Sequence, residues 1–503
     1  MKRNVLEYLE ETAGKYPDKT GVTDESGSCT FRELMEKSRR TGSALAARIE
    51  RREPVGVFME KGISALQAFF GTAYAGGFYV LFNPEFPETR LGQIQSVLDA
   101  SVIITDEEHY DAACKIFEGR KIYKIEELRK APDDEAHLAY IRQVTLDTDP
   151  LYGNFTSGST GVPKGVVVSH RSVLDFIDHF TEIFGIGETD VIGNQAPFDF
   201  DVSVKDIYSA MKTGAELTVI PKRLFSNPSA LLDFICDHKI TTLIWAVSAL
   251  CLVSSFHGLD YKTPETVNKV LFSGEVMPMK HLRAWMEHLP EALFVNLYGP
   301  TEITCNCTYH VIDRNRLYEK GIPLGKAFPN EEVFLLSSGG RRIREPGEAG
   351  EICVRGTALA LGYYNAPEQT AGSFVQNPGN SHFPELIYRT GDLGILDEAG
   401  ELYFSGRKDF QIKYMGHRIE LEEIERAVNQ IEGVERCCCI FDEKKNRLYG
   451  FYVGTPDKKE LHGMLRQVLP VFMIPGTLKK ADWLPMTANG KIDRKALRRL
   501  TGG

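Results

Sequence analysis

The chain has 503 residues, of which 43% are hydrophobic and 25% are charged, and its formal net charge is -10 at pH 7. This length exceeds what one hydrophobic core usually serves, so we expect several subdomains. The composition is typical of a folded globular protein and excludes a disordered or fibrous chain, while the acidic balance argues against a nucleic-acid-binding protein.

The first part of the chain alternates helical patterns with short β-rich runs bounded by glycine, proline or asparagine. Helices are predicted at residues 31–49 and 63–74, and strands at residues 55–58, 78–82 and 101–104. Strands separated by helices in this way indicate parallel sheets with helical crossovers. The sequence therefore predicts an α/β fold.

The same alternation returns between residues 172 and 270, with strands predicted at residues 216–220, 242–245 and 269–272. Around residues 331–364 the pattern changes to short strands and turns. We predict that this region forms a small β-barrel-like subdomain within a large N-terminal domain of parallel-rich sheets and helices.

The tail of the chain forms a separate pattern of elements. Helices are predicted at residues 421–431 and 459–468, and a strand pair at residues 436–441 and 448–453. This is enough for a small α+β domain that folds by itself. We place the boundary between Ser405 and Asp409, which gives predicted domains of residues 1–405 and 406–503.

The cysteines and the N-terminal segment indicate the cellular compartment of the protein. The chain has ten cysteines, without C-x-x-C pairs or zinc-site spacing. Cys437-Cys438-Cys439 lies in a predicted strand, where free cysteine acts as a small hydrophobe. The N-terminus does not resemble a signal peptide, and no apolar run has the length of a membrane span. We expect a reduced, cytoplasmic protein.

A loop rich in glycine and hydroxyl groups, residues 155–165, ends in Lys164 and leads into a β-rich run. Its glycines let the backbone approach an anion, its amides and hydroxyls supply donors, and Lys164 adds a compact positive charge. It is not the GxxxxGK[ST] loop, because Lys164 lies between proline and glycine. Alone it is either a surface turn or a phosphate cradle; the second interpretation predicts a nucleotide-handling enzyme.

Eight further short segments, two before this loop and six after it, are informative together. They are residues 30–34 (TFREL), 74–77 (YAGG), 200–203 (FDVS), 296–302 (NLYGPTE), 350–352 (GEI), 388–392 (YRTGD), 406–413 (GRKDFQIK) and 489–494 (NGKIDR). Together they resemble the core motifs of the adenylate-forming superfamily, specifically amino-acid adenylation domains of nonribosomal peptide synthetases and D-alanine:carrier-protein ligases. The resemblance spans nearly the whole chain.

The resemblance implies a reaction in two halves. A carboxylate attacks the α-phosphate of ATP to give an acyl-adenylate and pyrophosphate, and a thiol then takes the acyl group. Lys491 would be the catalytic residue, bridging the substrate carboxylate and the α-phosphate, and Glu302 would bind Mg²⁺. The implied ATP-binding residues are Thr156, Ser157, Gly158, Ser159, Thr160, Lys164, Asn296, Tyr298, Gly299, Thr301, Asp392 and Arg407.

The second half-reaction implies a tail domain that moves. Asp409 would be the hinge residue about which this domain rotates to admit a pantetheine thiol. Gly416 would line the pantetheine tunnel, or would only cap a hairpin. Because the chain reaches Gly503 without a phosphopantetheine-carrying motif, we expect a separate carrier protein as partner and a monomeric enzyme.

Asp201 indicates the substrate, because amino-acid-activating members of the superfamily pair an aspartate here with the α-ammonium group. D-alanine ligases also resemble residues 194–198 and 273–276, but they carry cysteine where Ser273 stands. This difference, with the bulky Trp245 and the polar pair Lys205 and Asn306, argues against D-alanine and leaves a small or polar side chain open. Lys205 either pairs with an acidic substrate or points to solvent. The side-chain pocket aligned by motif is Val202, Lys205, Trp245, Leu271, Ser273, Leu297, Cys305 and Asn306.

Three functions compete at this point. The first is an amino-acid:carrier-protein ligase, with D-alanine ligation in cell-wall modification as one version. The second is a CoA ligase of the same superfamily. The third is a catalytically silent homologue, against which the retention of Lys164, Glu302, Asp392 and Lys491 argues.

Overall fold

The computed structural model describes residues 2–158, 162–443, 445–486 and 492–501. Over these residues the chain folds as two compact units. The larger unit comprises Met1–Phe82, Asp99–Asn154 and Val166–Lys408, and the smaller comprises Asn83–Leu98, Phe155–Gly165 and Asp409–Gly503. Three residues of the predicted site, Ser159, Thr160 and Lys491, lie outside the described residues.

The largest sheet of the larger unit has parallel central strands and antiparallel pairs at its ends. Its neighbouring strands are, in order, Lys326–Ala327, Thr308–Val311, Leu293–Tyr298, Lys269–Ser273, Thr242–Ala246, Val191–Asn194, Glu216–Val219, Thr20–Asp24 and Gly27–Thr30. The α/β fold predicted from the sequence is confirmed.

A second sheet also has parallel central strands, and its edge strand Gly362–Tyr363 pairs antiparallel with Lys164–Ser169. Its order is Gly362–Tyr363, Lys164–Ser169, Pro150–Thr156, Phe78–Phe82, Pro54–Phe58, Val102–Thr105 and Lys121–Lys124. All residues of Pro54–Phe58 and Phe78–Phe82 are buried. Helices cover both faces of such a sheet, which is why these strands read as continuous apolar runs.

A third sheet is antiparallel; three of its strands lie in the region predicted to be β-rich, residues 331–364, and three lie after it. It consists of Arg342–Ile343, Glu331–Leu336, Ala349–Gly356, Leu386–Leu396 and Phe374–Gln376, with Leu402–Arg407 paired to Leu386–Leu396. This last pair brings Asp392 and Arg407 into register.

The α-helices of the larger unit are Leu6–Lys15, Phe31–Ala46, Ile63–Tyr74, Tyr110–Ile116, Ile125–Leu128, Glu135–Val144, His170–Phe184, Val202–Thr213, Pro228–Asp237, Val247–Ser255, Gly258–Tyr261, Met279–His288 and Pro367–Ser373. Short 3-10 helices lie at Lys222–Ser226 and Thr301–Ile303. Thr30 and Glu33 cap the helix Phe31–Ala46 reciprocally, because each side chain binds the other's backbone amide. The first motif of the resemblance is therefore a helix start.

The largest sheet separates two hydrophobic cores. Ile244, Leu271 and Val295 pack into one core, while Trp245 and Phe272 pack into the other. Successive residues of a strand point to opposite faces, so a shift of one position moves a side chain from one core to the other.

The smaller unit contains a hairpin, Gln411–Tyr414 and His417–Glu420, and a sheet of Val434–Asp442, Arg447–Gly454 and Thr477–Lys480. Its helices are Glu88–Leu98, Leu421–Asn429, Lys458–Leu465, Arg494–Arg499 and the 3-10 helix Val471–Met473. Cys437, Cys438 and Cys439 are buried in the first strand of the sheet, as the apolar pattern predicted.

Candidate functional site

Asp392, on the strand Leu386–Leu396, is a buried carboxylate with protein donors on both oxygens. The Tyr298 hydroxyl donates to Oδ2 at 2.6 Å, and the Arg407 guanidinium pairs with Oδ1. Burial, and then the Asp392 charge, raises the pKa of Tyr298. The carboxylate is thus held in one orientation, and each oxygen keeps lone-pair capacity for another hydroxyl donor.

The segment after Tyr298 folds back tightly on itself. A Cβ atom at Gly299 would lie 2.5 Å from Cα of Asn306 and 2.8 Å from the carbonyl oxygen of Cys305, so only glycine fits here without displacement. Thr304 adopts a φ of 70°, which is strained for a β-branched residue. This loop directs Thr301, Cys305 and Asn306 toward the helix Val202–Thr213.

Asp201 precedes that helix and is 8% exposed. The Thr301 hydroxyl donates to Asp201 Oδ2 at 2.6 Å, and the Cys305 thiol donates to its carbonyl oxygen at 3.1 Å. Burial raises the pKa of Cys305, so this thiol stays protonated at neutral pH. Asp201 is therefore positioned by the loop that also carries Asn306.

Lys205 lies one helical turn after Asp201 and is fully buried. Its Nζ donates to Asn306 Oδ1 at 2.7 Å and to Ser273 Oγ at 3.5 Å. The interpretation that this side chain points to solvent is wrong. Burial lowers the pKa of Lys205, and within the described ranges its ammonium has no carboxylate oxygen at ion-pair distance.

The structure brings most of the predicted pocket residues together. Lys205, Ser273 and Asn306 are joined by the hydrogen bonds above, and Asp201 and Cys305 by theirs. The apolar members share one hydrophobic core: Val202, Leu271, Leu297 and Cys305.

Trp245 is not brought together with this group. Its indole packs in the opposite core and donates to the Gly193 carbonyl oxygen at 2.8 Å. Trp245 pairs in register with Phe272, whereas Ile244 pairs with Leu271 and shares its core. Because strand residues alternate between faces, Ile244 is the residue of this strand that faces the Leu271 side.

A buried polar network beside Lys205 was not predicted from the sequence. Asn194 Nδ2 donates to Asp206 Oδ2 at 2.6 Å, and Lys61 Nζ donates to Asn194 Oδ1 at 3.0 Å. Burial raises the pKa of Asp206 to about 7 and lowers that of Lys61 to about 8. Asp206 follows Lys205 directly, and only this adjacency could have signalled its importance.

Glu302, in the 3-10 helix Thr301–Ile303, is 1% exposed, and its Oε1 accepts a hydrogen bond from the Tyr363 hydroxyl at 2.8 Å. In the parts of the chain that the structure describes, no three His, Cys, Asp or Glu side chains lie together as a metal cage. Mg²⁺ commonly takes one or two carboxylates and completes its shell with phosphate and water oxygens. One buried carboxylate, such as that of Glu302, fits that requirement.

Hydrogen bonds of the Asn296 side chain and of the Glu302 backbone hold the loop that follows the strand Leu293–Tyr298. Asn296 Nδ2 donates to the carbonyl oxygen of Pro323 at 2.9 Å, and the Ala360 amide donates to the carbonyl oxygen of Glu302 at 2.9 Å. These bonds satisfy polar groups buried around the end of the strand Leu293–Tyr298.

In the smaller unit, the glycine-rich loop connects the strands Pro150–Thr156 and Lys164–Ser169, so Thr156 ends one strand and Lys164 begins the next. The Ser157 hydroxyl donates to the Arg418 carbonyl oxygen at 2.8 Å. The Gly158 amide donates to a carboxylate oxygen of Glu423 at 3.2 Å. These partners are more than 250 residues away in sequence, and no local pattern predicted them.

Asp409 and Gly416 also lie in the smaller unit. The Asp409 carboxylate accepts from the Gln411 amide at 3.2 Å, at the start of the hairpin. Gly416, at φ 80°, and Met415, at φ 52°, form the two-residue turn of the same hairpin. Two positive φ values are typical of a type I′ turn, so Gly416 caps the hairpin. Its role in a pantetheine tunnel stays a prediction.

Comparison with known proteins shows the family to which this chain belongs. A profile for "AMP-binding enzyme" matches residues 9–364, and one for "AMP-binding enzyme C-terminal domain" matches residues 423–491. Together with the α/β fold, these matches define an adenylate-forming ligase. The chain belongs to the AMP-binding enzyme family.

Two curated proteins and one solved structure are similar to this chain over nearly its whole length. Zwittermicin A synthase ZmaJ of Bacillus cereus is 31% identical over 99% of this chain and 95% of its own length. D-alanine--D-alanyl carrier protein ligase of Lacticaseibacillus casei is 30% identical over 99% of both proteins. The structure of holo-PA1221, a nonribosomal peptide synthetase protein with adenylation and PCP domains, matches with a TM-score of 0.84 and 26% identity over 99% of this chain and 84% of that one.

Other relatives are much longer than this chain. It spans 19% of a mycosubtilin synthase polypeptide of Bacillus subtilis and 9% of bacitracin synthase 1 of Bacillus licheniformis. Among the described residues, no helix is both long enough and apolar enough to cross a membrane.

Proposed function

We propose that the chain activates an α-amino acid as its aminoacyl-adenylate and transfers the aminoacyl group to the phosphopantetheine thiol of a carrier protein. The observation that carries this proposal is the pair Asp201 and Lys205. One is a buried carboxylate and the other a buried ammonium, four positions apart and therefore on the same helix face. This dipolar pocket suits a substrate with an ammonium group at one end and an acceptor group at the other.

The proposed first half-reaction joins the amino-acid carboxylate oxygen to the α-phosphorus of ATP and breaks the bond to the bridging oxygen of pyrophosphate. Tyr298 would stack on the adenine, Asp392 would bind the ribose hydroxyls, and Arg407 would contact the ribose or a phosphate. Lys491 would stabilise the charge that develops between carboxylate and α-phosphate. Mg²⁺ held by Glu302 would neutralise charge on the phosphate oxygens.

In the proposed second half-reaction the pantetheine sulfur bonds to the acyl carbon, AMP leaves, and the thiol proton passes to solvent. Asp409 would be the hinge for this step and Gly416 would let the pantetheine arm pass. The name of the D-alanyl carrier protein ligase relative supports a carrier protein as the acceptor.

The proposal is tested by ATP–pyrophosphate exchange across D- and L-amino acids and a panel of fatty and aromatic acids. We expect exchange with one or a few amino acids and none with the simple acids. Loading of a phosphopantetheinylated carrier, compared with free CoA as acceptor, then identifies the thiol. Exchange driven only by simple acids, or transfer only to CoA, would show a CoA ligase instead.

D-alanine:carrier-protein ligation is a second candidate. The casei relative with that name is 30% identical and matches over 99% of both proteins, which supports this candidate. A buried ammonium at Lys205, however, gains nothing from a methyl side chain. D-alanine in the exchange panel decides between the two substrates.

Lys205→Met is expected to change substrate choice. We infer that the amino-acid side chain carries a carboxylate, because the buried Lys205 ammonium pairs well only with an anion. The variant should lose about 100-fold in kcat/KM for the acidic amino acid, since a buried charge partner is removed. Exchange with apolar amino acids should rise in the same variant.

Lys212→Met is the matched control, because Lys212 lies on the same helix and its Nζ binds Asp178 and Thr181 instead of the pocket. A wild-type preference for a neutral amino acid, unchanged in Lys205→Met, would contradict the acidic substrate.

A further inference from the structure

Glu423 connects separate segments of the smaller unit at the phosphate loop. One of its carboxylate oxygens accepts from the Gly158 amide at 3.2 Å, and the other pairs with Arg90 Nη1 at 2.5 Å. Arg90 lies on the helix Glu88–Leu98 and Glu423 on the helix Leu421–Asn429. A loop whose amides suit phosphate oxygens therefore holds one of the chain's own carboxylates.

This ion pair is buried. The side chain of Arg90 is 7% exposed and that of Glu423 is 5% exposed. Burial raises the pKa of Glu423, while Arg90 acts in the opposite direction. Removing one partner of a buried pair leaves an uncompensated charge, so Arg90 requires an anion at this place.

Ser157, next to Gly158, is also hydrogen-bonded to the chain itself. The Ser157 hydroxyl donates to the carbonyl oxygen of Arg418 at 2.8 Å and accepts from the Glu420 amide at 3.2 Å. Arg426 also reaches the Gly158 carbonyl oxygen, at 3.4 Å. Donors that the sequence assigns to a polyphosphate are thus used by the segment from Arg418 to Arg426.

We propose that the Gly158 amide and the Arg90 guanidinium form an anion site that Glu423 fills in this conformation and that the triphosphate of ATP takes over. Two anions cannot occupy the same amide, so Glu423 and ATP compete. The exchange keeps Arg90 paired, because phosphate oxygens replace the carboxylate. The proposal rests on the proposed function of the loop in ATP binding and adds Arg90 and Glu423 to that site.

Glu423→Gln and Glu423→Asp test the competition. Gln removes the charge, and Asp keeps the charge but is one methylene shorter, so both weaken the contact with Gly158. Both variants should lower the KM for ATP in pyrophosphate exchange by about three- to tenfold. The reason is that the Gly158 amide is available to phosphate in a larger fraction of molecules. The KM for the amino acid should stay unchanged. Glu422→Gln, an exposed neighbour, is the matched control and should have no effect.

Binding of inorganic tripolyphosphate, followed by the shift in melting temperature, gives a readout that does not depend on catalysis. In Glu423→Gln, Arg90 lacks its anion, so the free variant should melt below the wild type and tripolyphosphate should restore its stability. An unchanged or raised KM for ATP in both variants, with no extra stabilisation by tripolyphosphate, would overturn the proposal. A wild type without amino-acid-dependent exchange would instead refute the proposed function, and the tripolyphosphate shift would still decide whether the anion site exists.

Discussion

Asp201→Asn is expected to reduce kcat/KM for the amino acid in pyrophosphate exchange by about 100- to 1,000-fold, which corresponds to about 3 to 4 kcal/mol. Asparagine has nearly the same shape and can still accept the hydrogen bond from the Thr301 hydroxyl. What it lacks is the negative charge proposed to receive the α-ammonium group. The KM for ATP should stay close to the wild-type value.

Asp199→Asn is the control for this substitution, because it removes the same charge two residues earlier, from a half-buried position. Equal losses in both variants would indicate a general effect of charge on the fold. If Asp201→Asn activated the amino acid as well as the wild type does, the pairing of Asp201 with an ammonium group would be refuted.

Lys491→Ala is the second large effect that we expect. The lysine should stabilise the charge that develops between the substrate carboxylate and the α-phosphate, and removal of one such stabilising group typically costs about 100- to 1,000-fold in kcat. The loss should appear in the exchange reaction with little change in the KM for ATP. Transfer from synthetic aminoacyl-adenylate to the carrier thiol should continue, because that step follows the one Lys491 assists.

This prediction rests on the resemblance at residues 489–494, since Lys491 lies outside the described residues. Lys495→Ala, an exposed lysine of the helix Arg494–Arg499, removes a positive charge nearby and should leave the exchange rate unchanged. Exchange in Lys491→Ala at the wild-type rate would refute the bridging role in the first half-reaction.

The elements of the fold follow closely from local sequence patterns. The helix Ile63–Tyr74 and the strand Phe78–Phe82 have the bounds predicted from their apolar residues and flanking glycines. The helix Phe31–Ala46 begins at the predicted residue and ends three residues before the predicted 49. Boundaries at helix ends depend on the last hydrogen-bonded turn, which sequence specifies weakly.

Contacts between distant segments could not be predicted in the same way. The residues 83–98 and 155–165 join the smaller unit because they meet side chains far along the chain, such as Glu423. The assignment of Trp245 to the pocket failed for a different reason. A strand alternates its faces at every residue, so an alignment displaced by one position selects the opposite side of the sheet.

Alkylation of the buried run Cys437-Cys438-Cys439 can report whether the sheet of the smaller unit is intact. Burial raises the pKa of the Cys438 thiol to about 12, and a protonated, enclosed sulfur does not react with alkylating reagents. Cys114, in contrast, is exposed and should label in the native protein. Mass spectrometry after a brief alkylation pulse should therefore measure the fraction of molecules in which the strand Val434–Asp442 is exposed, without any substitution in the chain.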